Sequence, residues 1–166
     1  MSIAAVLVPE LDQEGAVTKR VLERVPADKL EWRPHEKSMS LGQLASHVAR
    51  IPSIAAKMAA ADFPLPEFRS PPMPESAEAL LPTLDEALAE ARTYLNGLTE
   101  EEASAPWSIL KNGEPVVTIP RAAMLRTIML NHWYHHRGQL TVYLRLLDVP
   151  VPPVYGASAD ENPFEV

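Results

Sequence analysis

The chain contains no cysteine. Disulfides, thiolate metal ligands and a cysteine nucleophile are therefore excluded, while the redox compartment stays open. Long apolar runs are also missing, since nothing approaches the ~20 uninterrupted apolar residues of a membrane span. Glycine is scarce, with six residues against seventeen prolines, a balance that suggests helices joined by stiff connectors. Basic residues are outnumbered, giving a net charge of −7 at pH 7. That argues against nucleic acid or an anionic membrane surface as partner, because both need basic patches. The opening residues, MSIAAVLVPELDQEG, lack a basic stretch, and Pro9 and Glu10 break their apolar run. This is unlike a signal peptide, so a cytoplasmic protein is expected.

What is present fits one domain over residues 1–166, nearly half of it apolar and long enough to bury a core. The most informative stretch is Asn131-His132-Trp133-Tyr134-His135-His136-Arg137-Gly138-Gln139, inside a helical pattern from Pro120 to Leu147. At about 100° per residue, His132 and His136 lie about 40° apart on neighbouring turns. Leu125, Ile128, Met129, Gln139 and Tyr143 share their stripe. Imidazoles buried in an apolar stripe need partners, either hydrogen bonds or a shared metal ion. His135 falls about 60° to the other side of His132 and reads as a neighbour or surface residue. Arg137 points about 140° away and is expected in an ion pair or an interface. Gly138 inside a helix costs about 1 kcal/mol relative to alanine and suggests close approach of another segment.

Upstream, residues 10–25 carry a helix pattern closed by Pro26, with Leu11, Val17, Val21, Leu22 and Val25 on one side. A connector follows, in which Trp32 is expected to pack on the body and His35 to be solvated. Ser40 and Gln43 match a capping box. The helix they open places His47 on an apolar face with Gln43, Leu44, Ile51, Ile54 and Met58, and Pro52 should bend it. Residues 64–76 form a proline-rich crossover linker. A third helix runs from about Ala77 to Asn96, with Gly97 as the residue after its end and Pro82 starting or kinking it. Thr99 and Glu102 make a second capping box. Asn112-Gly113 between two β-prone runs signals a hairpin. Pro120 suits the start of the last helix, with Thr118 as its cap. Beyond Leu147 the tail is extended, and Tyr155 and Phe164 are expected to pin it.

These elements describe an all-α protein, a four-helix bundle with a long crossover linker, a small hairpin before the last helix and an extended C-terminal tail. His47, His132 and His136 then form a three-histidine site. With three protein ligands one coordination position stays open, as in catalytic sites.

Three stretches carry a family resemblance: Trp32-Arg33-Pro34-His35, Gln43-Leu44-Ala45-Ser46-His47 and NHWYHHRGQLTVYLRLLDVPVPPVYGASADE. Together they resemble the DinB/YfiT-like superfamily of metal-dependent proteins over nearly the whole chain. The resemblance implies a homodimeric four-helix bundle with a zinc, nickel or iron ion on three histidines, which map to His47, His132 and His136. Some relatives are thiol-dependent transferases or isomerases, so a low-molecular-weight thiol is one expected cosubstrate. In that case the pocket would be lined by Leu125, Ile128 and Met129, with Gln139 or Tyr143 as polar contacts. A metal-dependent hydrolase is a second possibility, with Asp160 or Glu161 as general base. A non-catalytic metal-binding or stress-associated protein is the alternative to both.

Overall fold

The computed structural model describes residues 2–65 and 70–164, so residues 66–69 of the expected crossover linker lie outside it. The chain runs through α1 (Ile3–Leu22), a 3₁₀ turn (Ala27–Lys29), α2 (Leu41–Ala59), β1 (Phe63–Pro64), α3 (Leu80–Gly97) and α4 (Glu100–Ser104). Then come β2 (Pro106–Lys111), β3 (Glu114–Pro120), α5 (Arg121–Met124), a π-helical segment (Leu125–Asn131) and α6 (His132–Leu146). The fold is mostly helical, but the expectation of an all-α chain needs correction. β1 pairs in parallel with β2, turning the expected hairpin into a small three-stranded sheet.

Local chemistry explains most boundaries. The Ser40 hydroxyl accepts from Gln43 N while Gln43 Oε1 accepts from Ser40 N, closing the first capping box. Thr99 and Glu102 close the second in the same way. The β2–β3 turn is Asn112-Gly113, with φ of 54° and 85°. Those two left-handed residues are what a tight two-residue hairpin requires. Helix α1 begins at Ile3, not near Glu10, because the Ser2 hydroxyl caps it by accepting from Ala5 N. Pro9 is carried inside that helix. Pro82 lies in the first turn of α3, where its missing N–H has no helical partner to lose. Gly97 is the last residue of α3 instead of the one beyond it. Thr118 does not cap the last helix; it lies in β3, facing the Ser108 hydroxyl at 3.0 Å.

Helices α1, α2, α3 and α6 share one core, in which Leu11, Leu44, Leu84, Leu95, Leu140 and Leu144 are fully buried. α1 and α3 come close at Gly15, where a Cβ would stand 2.8 Å from Leu88 Cδ1. Gly138, by contrast, has nothing among the described residues within 4 Å of where a Cβ would be, so the close approach expected there is not found. The C-terminal carbonyls of α2 are satisfied from outside the helix. Trp107 Nε1 donates to Met58 O, and both Tyr94 Oη and Arg121 Nε donate to Ala59 O. These bonds dock the sheet on the end of α2 and thereby position Phe63.

Pro52 lies within α2 and has no N–H to give the carbonyl of Val48 one turn earlier. The indole Nε1 of Trp133, a fully buried side chain, donates to that carbonyl at 2.8 Å. Val48 and Trp133 are the residues directly after His47 and His132, so this bond sets the register of α2 against α6 beside two of the three rings.

The tail is pinned by one of the two expected residues. Tyr155 Oη lies 2.6 Å from Arg137 Nη2 and 3.0 Å from Glu14 Oε2. Phe164 is 76% exposed and pins nothing. No helix among the described residues is long and apolar enough to cross a membrane.

Candidate metal centre

The ligand-type atoms of His47, His132 and His136 all lie within 4.8 Å of one another. His132 and His136 stand one turn apart at the start of α6, with ring centroids 4.3 Å apart. His47 reaches them from α2, at 4.6 Å from the His136 centroid. Its Nε2 is 3.2 Å from Nε2 of His132. At that separation one nitrogen carries a hydrogen, or the two share a cation. Two imidazole nitrogens on one tetrahedral ion, at 2.0–2.1 Å each, stand about 3.3 Å apart, so the residues fit such a group.

His136 Nδ1 is 2.7 Å from Gln139 Oε1. The amide oxygen holds the proton on Nδ1 and leaves the Nε2 lone pair for the cluster. Gln139 therefore serves the histidines and not an incoming molecule.

Burial, then the charges of His136 and His132, hold the His47 imidazolium down to a pKa of about 4 from the ordinary 6.5. Burial likewise pushes His136 down to about 4, against the raising effect of Gln139. Burial and His135 lower His132. All three rings are thus neutral at pH 7, the form that ligates. The sign of the resulting pH dependence follows from linkage. Unfolded histidines take up protons near 6.5, whereas folded His47 and His136 refuse them until about 4. The metal-free protein should therefore lose stability as pH falls from about 6.5 to about 4, these two rings adding no further pH dependence above that window. Urea unfolding of metal-free protein at stepped pH measures it. An unchanged slope in a His47→Asn/His136→Asn variant would count against these two rings.

A cavity of about 610 Å³ opens beside the cluster, with His47 and His132 in its wall. The remaining wall differs from expectation. Ile51, Ile54 and Met58 supply the α2 side, while Phe63, Ile128 and the Ser70–Pro72 segment supply the opposite one. Leu125 and Met129 are fully buried in the core, and only Ile128 of the three expected residues lines the cavity. The i→i+5 bonding of Leu125–Asn131 widens the coil, so a wheel drawn at 100° per residue mis-orients everything before His132. Tyr143 is occupied elsewhere, its hydroxyl donating to Met39 O and its ring edge-to-face with Trp32.

Other candidates separate from the cluster. His135 is exposed and its atoms do not join the three. His35 is an exposed loop residue, its Nδ1 accepting from Lys37 N. Arg137 faces away and pairs with Glu14 at 2.6 Å. Asp160 pairs with Arg145 and accepts from Val151 N, and Glu161 pairs with Arg24. Both carboxylates are engaged in these ion pairs, and neither belongs to the cluster. Arg50, in the cavity wall, does not stand out in the sequence. Its only signal there is its position three residues after His47.

The DinB family model matches residues 1–163. A relative, the uncharacterized protein YrdA of Bacillus subtilis (strain 168), is 24% identical over 152 residues, covering 89% of this chain and 85% of that protein. Among solved structures, a DinB-like protein from Bacillus cereus ATCC 10987 superposes with a TM-score of 0.69 at 24% identity, over 89% of this chain and 94% of the other. The DinB-like protein YjoA of Bacillus subtilis gives 0.65 at 21% identity, over 89% and 96%. These structures share the fold. With the family model spanning almost every residue, the chain belongs to the DinB family.

Proposed function

We propose that this DinB-family chain is a metal-dependent enzyme of four-helix-bundle architecture, in which His47, His132 and His136 hold one divalent ion. Zinc or nickel suits three neutral imidazoles, and iron is the alternative. The observation that carries an enzyme reading over a purely structural site is the cavity: the cluster borders about 610 Å³ of largely apolar space. A closed structural site would have a fourth protein ligand, and among the described residues no carboxylate joins the three rings.

Bound there, the ion would lower the pKa of a coordinated water or small thiol and polarise an acyl group. The chain's own part is to keep three neutral nitrogens convergent, hold the His136 proton on Nδ1 through Gln139, and present an apolar wall that excludes bulk water. With no cysteine in the chain and Asp160 and Glu161 held in ion pairs, a thiol cosubstrate as nucleophile ranks ahead of hydrolysis by a protein base. The favoured reaction class is thiol-dependent transfer or isomerisation.

Cobalt(II)-loaded protein tests this reading. Millimolar glutathione, bacillithiol or mycothiol should produce a new sulfur-to-cobalt charge-transfer band. If none does and esters or amides turn over, the protein is a hydrolase. If it neither responds nor turns anything over, it is a non-catalytic metal-binding protein.

A further inference from the structure

Arg50 follows His47 by three residues on α2 and lines the same cavity. Residues at that spacing are neighbours on a helix face, with Cβ atoms about 5–6 Å apart. Among the described residues it is the only permanently charged side chain in the cavity wall. Arg50 also borders a depression shared with Glu86 and Glu90. Glu90, however, is taken by Lys57 at 2.7 Å, and no ion pair among the described residues involves Arg50. A guanidinium is never deprotonated and binds carboxylates in a bidentate fork. Ile51 and Ile54 beside it give the same wall an apolar surface for the rest of such a molecule.

We infer that the cavity takes a small carboxylic acid with an apolar body, its carboxylate held by Arg50 and its other end directed at the three histidines. The second half rests on the metal-centre reading above, while the first half does not. Arg50 springs from α2 one helical turn beyond His47, so both side chains can face one small molecule in the cavity.

Calorimetric titration with phenylacetate and its neutral isostere phenylacetamide separates the two halves, using protein both as purified and after chelator treatment. In metal-free protein phenylacetate should bind about tenfold more tightly than phenylacetamide, the preference expected of one charge-assisted pair. Arg50→Gln should abolish the preference and Arg50→Lys should retain part of it. Arg50 is exposed, so both variants should keep the circular dichroism and melting temperature of the parent. Equal affinity for the two probes in the parent protein overturns the proposal, as does a preference that survives Arg50→Gln in metal-free protein. A preference that appears only with zinc present assigns the carboxylate to the ion and also overturns it. Zinc content measured on the same samples keeps the metal reading separate. Stoichiometric metal after reconstitution without the preference removes the proposal alone, and the preference in protein that takes up no zinc, nickel or iron on reconstitution removes the metal reading alone.

Discussion

After zinc reconstitution, a His132→Ala/His136→Ala variant should hold only trace metal, against about one ion per chain in the parent. The two substitutions leave His47 as a single imidazole, and one neutral nitrogen does not retain a divalent ion through desalting. Gln139→Leu is the graded arm of the same experiment. It keeps all three ligands but removes the acceptor 2.7 Å from His136 Nδ1. Loss of such a supporting bond typically weakens metal affinity about 10–100-fold. Elemental analysis reads the double variant, and competition with a chelating dye reads Gln139→Leu. Near-stoichiometric zinc in the double variant would show that the ion sits elsewhere.

Arg137→Ala should destabilise the protein by about 3–5 kcal/mol, because it leaves a buried carboxylate without its cation. For a chain of this size that corresponds to a fall in melting temperature on the order of 10 °C. Arg137 and Glu14 are 1% and 5% exposed. The guanidinium donates to Glu14 Oε2, Glu14 O and Thr18 Oγ1 and also meets the Tyr155 hydroxyl. The expected loss measures the stranded partner and not the net contribution of the pair. Replacing both residues by apolar ones, Arg137→Met with Glu14→Leu, should therefore recover most of it. Thermal unfolding by circular dichroism is the readout. A single variant within about 1 kcal/mol of the parent would mean that water or the tail relieves Glu14.

Features determined by neighbours along the chain are legible in the sequence. Both capping boxes need only a hydroxyl and a side chain three residues on, and the Asn112-Gly113 turn only two residues that tolerate positive φ. His47, His132 and His136 are legible for the same reason, since ordinary α-helical spacing governs the helix faces that carry them. The cavity is not. Its walls are assembled by a π-helical segment that breaks the regular angle, by a two-residue strand paired with a partner more than forty residues away, and by a linker with no period. Pro9 misleads because a proline in an apolar run reads as a break, whereas tertiary packing carries α1 through it. Asp160 and Glu161 look available because the sequence does not reveal that Arg145 and Arg24 lie beside them.

The bond from Trp133 to Val48 bears on the order of events in the life of the protein. A slide of α6 by one residue along α2 would separate the indole from a carbonyl that, because of Pro52, has no helical donor. The scaffold thus brings the three rings together through its own packing. On the metal reading proposed above, and unlike domains that are unstructured until metal arrives, this chain would finish folding first and load afterwards. Such a receptacle can release one ion and accept another without melting. Its occupant in the cell would then be decided by which divalent ion is in supply when the finished protein meets it.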